Sequence, residues 1–157
     1  MSRLDCLKAL ITAKPLSALA PVADLLLRLY ISKVFFLSGL TKIQDWSTTL
    51  FLFSNEYHVP VLPPLIAAIG ATAGELLLPI LLTLGLFTRL SALGLSALNL
   101  TAVLSYYYVL KDIPSALQDH LEWGLMLLII ACVPLCRFGL DTLIQRSCHQ
   151  PPSEMQA

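Results

Sequence analysis

The chain has 157 residues, of which 57% are apolar and only 13% charged, and its net charge is zero. A soluble domain carries about twice that share of charge, so a mean hydropathy of +0.77 points to a membrane protein. Zero net charge leaves no basic field for nucleic acid, and the length suits one compact unit.

The first residues, MSRLDCLKALITAKPLSALA, carry positive charge and end in small residues, but Lys8 and Lys14 interrupt any apolar core of signal length. Leu4, Leu7, Leu10 and Ile11 recur at helical spacing, with Arg3 and Lys8 elsewhere on the wheel. Residues 1–20 are therefore expected to lie on the cytoplasmic membrane surface as a short helix, with a frayed tail as the alternative.

A spanning helix needs about 20 mostly apolar residues, and four segments approach that: 21–41 with Pro21 in its first turn, 61–87 with Pro79 inside, 89–109, and 119–136. No alternation of period two suggests a barrel, so each span is expected to satisfy its own backbone as a helix. Arg3, Lys8, Lys14, Arg89, Arg137 and Arg146 flank the spans on one side, Lys42 and Lys111 on the other. That bias puts both termini in the cytoplasm. The expected fold is all-α: an integral-membrane four-helix bundle over 21–136, followed by a cytoplasmic tail, 137–157. Between spans one and two, residues 42–60 hold Trp46, Phe51, Phe53 and Tyr57, and read as an amphipathic segment lying in the membrane plane on the periplasmic side. Tyr106, Tyr107 and Tyr108 end span three, and Trp123 begins span four.

Charges inside the spans mark candidate sites. At about 1.5 Å rise per residue, Glu75 and Asn99 fall roughly 18 and 15 Å from the cytoplasmic ends of their spans, and Arg28 about 10 Å. An ionised group at such depth costs at least about 2.5–3.5 kcal/mol and turns toward the bundle or water. Arg28, Ser32, Phe35, Gly39 and Lys42 share one helix face, and Arg28 is the expected partner of Glu75. Lys33 lies off that face, to snorkel or to pair separately. Glu75 follows GATAG, a GxxxG pattern from Gly70 to Gly74 that permits close helix approach. A buried polar pocket of Arg28, Ser32, Lys42, Glu75, Asn99 and Arg89 is one expectation; a fixed Arg28–Glu75 clasp without chemistry is its alternative.

Other motifs are weaker. Cys6, Cys132, Cys136 and Cys148 gather on the cytoplasmic side, where thiols stay reduced. Cys132 and Cys136 are spaced i, i+4 and, with Cys148 and His149, are candidates for a soft metal. On the outer side, Glu56 and His58 in NEYHVP and Asp119, His120 and Glu122 in DHLEWG form a candidate His/carboxylate cluster suited to copper, zinc or proton transfer. Its alternative is a solvated rim with Asp119 capping a helix start. Walker A, GxSxG, HExxH and GxGxxG patterns are absent.

Arg28, the stretch FFLSGLTKIQDW, Glu75, and LGLFTR with Gly85 and Arg89 together resemble the DoxX family of small bacterial membrane proteins, over about residues 24–137. Arg28, Lys42, Glu75 and Arg89 match the family pattern. SGLTKIQDW, FLFSNEYHVPVLPP, ELLLPILLTLGLFTRLSAL and DHLEWG look like the DoxX-like subgroup associated with maturation of copper-binding ribosomal peptides. Glu56, Tyr57, His58, His120 and Trp123 match that subgroup alone. The resemblance implies a four-helix inner-membrane protein, often encoded beside peptide-modifying enzymes, with copper or a quinone as the candidate cofactor. Other family members resemble quinone-linked subunits of thiosulfate:quinone oxidoreductase, or partners in thiol-oxidant defence. The expected role is an accessory protein of a copper-peptide system. The alternatives are a quinone-binding subunit with a separate redox subunit, and a small homo-oligomeric transporter or scaffold.

Overall fold

A computed structural model describes residues 14–133 and 139–141, and these form five helices with no strand among them. They are α1 (Lys14–Gln44), α2 (Trp46–Asn55), α3 (Pro64–Leu84), α4 (Thr88–Leu110) and α5 (Pro114–Cys132). Helices α3 and α4 are long and apolar enough to cross a bilayer, with mean hydropathies of 2.0 and 1.4 over their most apolar stretches. The expected all-α class is therefore present. Arg3, Lys8, Cys6, Cys136, Arg137, Arg146, Cys148 and His149 lie outside the described residues.

The helix ends differ from the sequence expectation in two places. Pro21 was expected in a first turn, but α1 begins at Lys14 and Pro21 lies inside it. Proline has no N–H to give a preceding carbonyl, which long-range packing of the helix tolerates here. Asp119 does not cap a helix start. Helix α5 starts at Pro114 behind Ile113, so Asp119 sits within it; the fixed φ of proline suits the first helical position.

The other termini follow local chemistry. The Asp45 carboxylate accepts from the Thr48 N–H at 3.0 Å and starts α2 where α1 stops. Helix α3 ends at Gly85, whose φ of 66° is left-handed. A Cβ at Gly85 would also meet the Gly139 backbone at 2.5 Å. Asp141 closes this corner. Its N–H donates to the Gly85 carbonyl at 2.9 Å, and its carboxylate accepts from the Phe87 and Thr88 N–H groups and the Thr88 hydroxyl.

The long helices pack in sequence α1 on α3, α3 on α4, α4 on α5, and α5 back on α1, while α2 rests on α3 and α1. Between α3 and α4 the packing is reciprocal: Leu98 fills the space a side chain at Gly74 would need, and Leu78 does the same at Gly94. Gly74 is thus consumed within the fold, whereas Gly70 faces open space. The core joins Ile31, Phe35, Leu82, Leu95, Leu127 and Ile130. A smaller cluster holds α2 in place through Phe53 against Ala67 and Ala68.

Polarity is distributed opposite to that of a water-soluble protein. Asp24, Arg28, Ser32, Thr72, Glu75 and Asn99 are buried, while Leu26, Leu77, Leu90, Leu100, Leu121 and Leu128 are exposed. Apolar surface of this extent suits lipid rather than water.

Candidate functional site

A cavity of about 330 Å³ opens between α1, α3, α4 and α5, with Phe53 of α2 and the α2–α3 loop at its edge. Lys42, near the end of α1, leans back toward the helix N-terminus as helical side chains do. Its Nζ donates to Ser38 Oγ at 2.9 Å and to Glu75 Oε2 at 2.6 Å. Gly39 makes this meeting feasible. A Cβ there would stand 2.9 Å from Leu76 Cγ and 3.0 Å from Glu75 Cβ, so only glycine lets α3 come this close to α1.

A second polar pair faces the same space. Asn99 Nδ2 donates to the His120 carbonyl at 2.8 Å, which turns Asn99 Oδ1 toward His120 Nδ1 at 2.7 Å. That arrangement assigns a ring proton to Nδ1, an inference from the hydrogen-bond network, and in the neutral ring Nε2 is then the acceptor. The walls are aromatic. Tyr57 meets Phe53 and Tyr106 edge-on at 5.0 and 4.9 Å, and Trp123 meets Phe35 and His120 at 6.1 and 5.0 Å. Tyr106 departs from helical backbone angles, with φ −123° and ψ 17°. Burial raises the Tyr57 pKa above 10.0, with Tyr106 and the charges of Glu75 and Glu56 adding to it. Tyr57 is therefore a neutral phenol at ordinary pH.

The expected Arg28–Glu75 pair does not form. Arg28, fully buried, places Nη2 3.0 Å from Asp24 Oδ2, one turn back on the same helix, and Nη1 donates to the Leu82 carbonyl at 3.4 Å. The reason is side-chain direction: an arginine on α1 leans toward the helix start, away from Glu75 and toward Asp24. Ser32 is buried one turn above Arg28, its hydroxyl without a partner among the described residues. Arg89 is exposed. Of the six residues expected to share a pocket, the cavity brings together Lys42, Glu75 and Asn99, and leaves Arg28, Ser32 and Arg89 outside it.

The expected outer His/carboxylate cluster also does not assemble. His120 turns inward to Asn99. Glu56 accepts from the Tyr108 hydroxyl at 2.8 Å, and His58 Nδ1 lies 3.0 Å from the Glu56 carbonyl. Asp119 and Glu122 are exposed on α5, Glu122 accepting from Gln118 at 2.9 Å. Among the described residues, no three His, Cys, Asp or Glu side chains are placed to hold a metal ion. Cys132 is a free, exposed thiol.

Sequence reasoning passed over Asp24, Ser38 and Asp141. Asp24 was findable, since an acid four residues before an arginine inside an apolar helix is itself a pairing signal.

Comparison with known proteins adds one result. The family model described as DoxX matches residues 23–108, more than half of the chain, and so covers Arg28, Lys42, Glu75, Arg89 and Asn99 but not His120. No curated protein and no solved structure matches.

Proposed function

The chain belongs to the DoxX family of membrane proteins, and on that premise we propose that its cavity binds the head of a membrane-soluble quinone, for an oxidoreductase whose electron carriers reside in a partner subunit. The reading takes all four long helices as spans of the bacterial inner membrane, with α2 in the membrane plane and both termini cytoplasmic.

The observation that carries it is the pairing of Lys42–Glu75 with Asn99–His120 around one aromatic-walled cavity of about 330 Å³. That volume lies at the small end for ligand pockets and suits one ring rather than a peptide. A quinone presents two carbonyl oxygens across a flat ring. The Lys42 ammonium is a donor for one of them, and the rings of Tyr106 and Trp123 take the flat faces. Conversion to quinol needs two electrons and two protons. His120 Nε2 and the Glu75 carboxylate, once each has taken a proton from water, are groups able to pass those protons on. The electrons come from the partner, because the sequence carries no haem, iron–sulfur or flavin ligand pattern.

Trp123 reports on the cavity. In a Trp46→Phe background in mild detergent, added decylubiquinone should quench Trp123 fluorescence saturably, and Lys42→Met should weaken that binding about tenfold or more. Quenching that never saturates would overturn the reading.

A second reading, an accessory role in copper-peptide maturation, draws on the exposed His58 beside Glu56, with Tyr108 edge-on at 5.5 Å. One imidazole and one carboxylate are too few for copper, so the remaining donors would come from the peptide or its modifying enzyme. Deleting the gene should then lower the mass-resolved yield of modified peptide.

A further inference from the structure

A groove of about 410 Å³ runs along the outward side of the α1–α3 junction, away from the cavity described above. Leu29, Lys33 and Phe36 line it from α1, and Ile80 and Thr83 from α3. We propose that this groove docks a transmembrane helix of another protein, one that carries an aspartate or glutamate at the depth of Lys33. The inference rests on the reading of α1 as a span, but not on the quinone.

Lys33 carries the argument. It is exposed on a face otherwise covered by large apolar side chains. It takes part in neither ion pair found among the described residues. At about 1.5 Å per residue it stands roughly 18 Å above Pro21 and roughly 12 Å below Thr41. Helical side chains lean toward the helix N-terminus, which from position 33 is the longer way to water. A cation held there against lipid calls for a counter-charge.

A second observation points into the same groove. Ser32, only 4% exposed, lines it, and its hydroxyl, sealed at the groove floor, has no partner among the described residues. Ser32 and Thr83 are small enough to admit the backbone of another helix, and Thr83 offers a hydroxyl at the contact. Leu29, Lys33 and Phe36 repeat at i, i+4, i+7 and so present Lys33 on the same face of α1 as two large apolar side chains.

Two rival occupants fit less well. Lipid phosphates sit at the membrane surface, a helix turn or more from Lys33. A second copy offers a poorer acid: Asp24 and Glu75 are buried and already paired, and Glu122, exposed on α5, accepts from Gln118 at 2.9 Å.

The test is photocrosslinking in native membranes with benzoylphenylalanine in place of Leu29, followed by mass spectrometry of the adduct. The expected product joins the chain to a membrane protein through a segment holding Asp or Glu within an apolar run. Lys33→Glu should lower its yield about tenfold or more, and changing that acid to lysine in the same strain should restore it. Wild-type accumulation of Lys33→Glu in membranes, with an unchanged thermal midpoint in mild detergent, shows that the variant is folded. Adducts to lipid alone, an adduct of twice the chain's mass, no protein adduct, or a yield indifferent to Lys33→Glu each overturn the proposal.

Discussion

Arg28 and Lys42 stand on the same helix about four turns apart, and each meets a carboxylate, yet the surroundings differ. Arg28 and Asp24 are 0% and 3% exposed and are sealed beneath the corner of Gly85. Lys42 and Glu75 are 19% and 12% exposed and border an open cavity. An ion pair with no free space beside it can only serve the fold, here by neutralising charge within α1 while Arg28 also reaches the Leu82 carbonyl of α3. One that faces a cavity keeps protonation and hydrogen-bonding capacity for something else. The family match covers both pairs alike, so it is the space around each pair that separates them.

The largest expected effect tests the sealed side. Arg28→Met leaves the Asp24 charge buried without its partner and should cost about 3–5 kcal/mol, read as loss of folded protein in membranes. Adding Asp24→Asn should recover much of that loss, and a double mutant no better than Arg28→Met would break the assignment.

On the open side, Asn99→Leu removes the amide that holds His120 and strips two hydrogen bonds. A loss of about 1–3 kcal/mol in stability is expected, together with weaker quinone quenching of Trp123. Unchanged quenching would remove His120 from the site.

Glu75→Gln should be milder for the fold. Lys42 keeps Ser38 and is partly exposed, so a cost of about 1–2 kcal/mol is expected, below that of a fully buried pair. The protein should accumulate in membranes while quinone binding falls. Arg28→Met and Glu75→Gln behaving identically in both readouts would erase the contrast between the pairs.

The smallest effect concerns the cap at the sealed corner. Burial pulls the Asp141 pKa upward, but hydrogen bonds from Thr88 and Phe87 and the charge of Arg28 outweigh it, leaving it below 3.8. A depressed carboxylate contributes stability that is fully present above its unfolded value and is lost as pH falls through the folded one. Asp141→Ala should therefore lower the thermal midpoint at pH 7, by about 1 kcal/mol in stability, and the gap to wild type should narrow below pH 3.8. A gap constant across that range would mean that the carboxylate charge has no part in the cap.

Composition and the runs of apolar residues determined the helical class and the approximate extent of α3 and α4, because a chain in lipid must close its hydrogen bonds within each helix. Glu75, Asn99 and Arg28 stood out as costly residues in apolar runs, and their burial follows from that cost; Lys42 reads as a flanking charge on the Arg28 face. Their partners did not follow. Depth along a helix is legible from residue number, but the direction of a side chain and the approach of a neighbouring helix are not. Arg28 turned to Asp24 because its stem leans back along α1. Glu75 reached Lys42 because Gly39 lets α3 come close. His120 looked like a rim residue until α4 brought Asn99 beside it. The sequence by itself determined which residues must be satisfied in the interior and held the i, i+4 signal of the Asp24–Arg28 pair; only the tertiary structure decided the partners across helices, Lys42 for Glu75 and Asn99 for His120, since those depend on distances of a few ångströms that no single helix specifies.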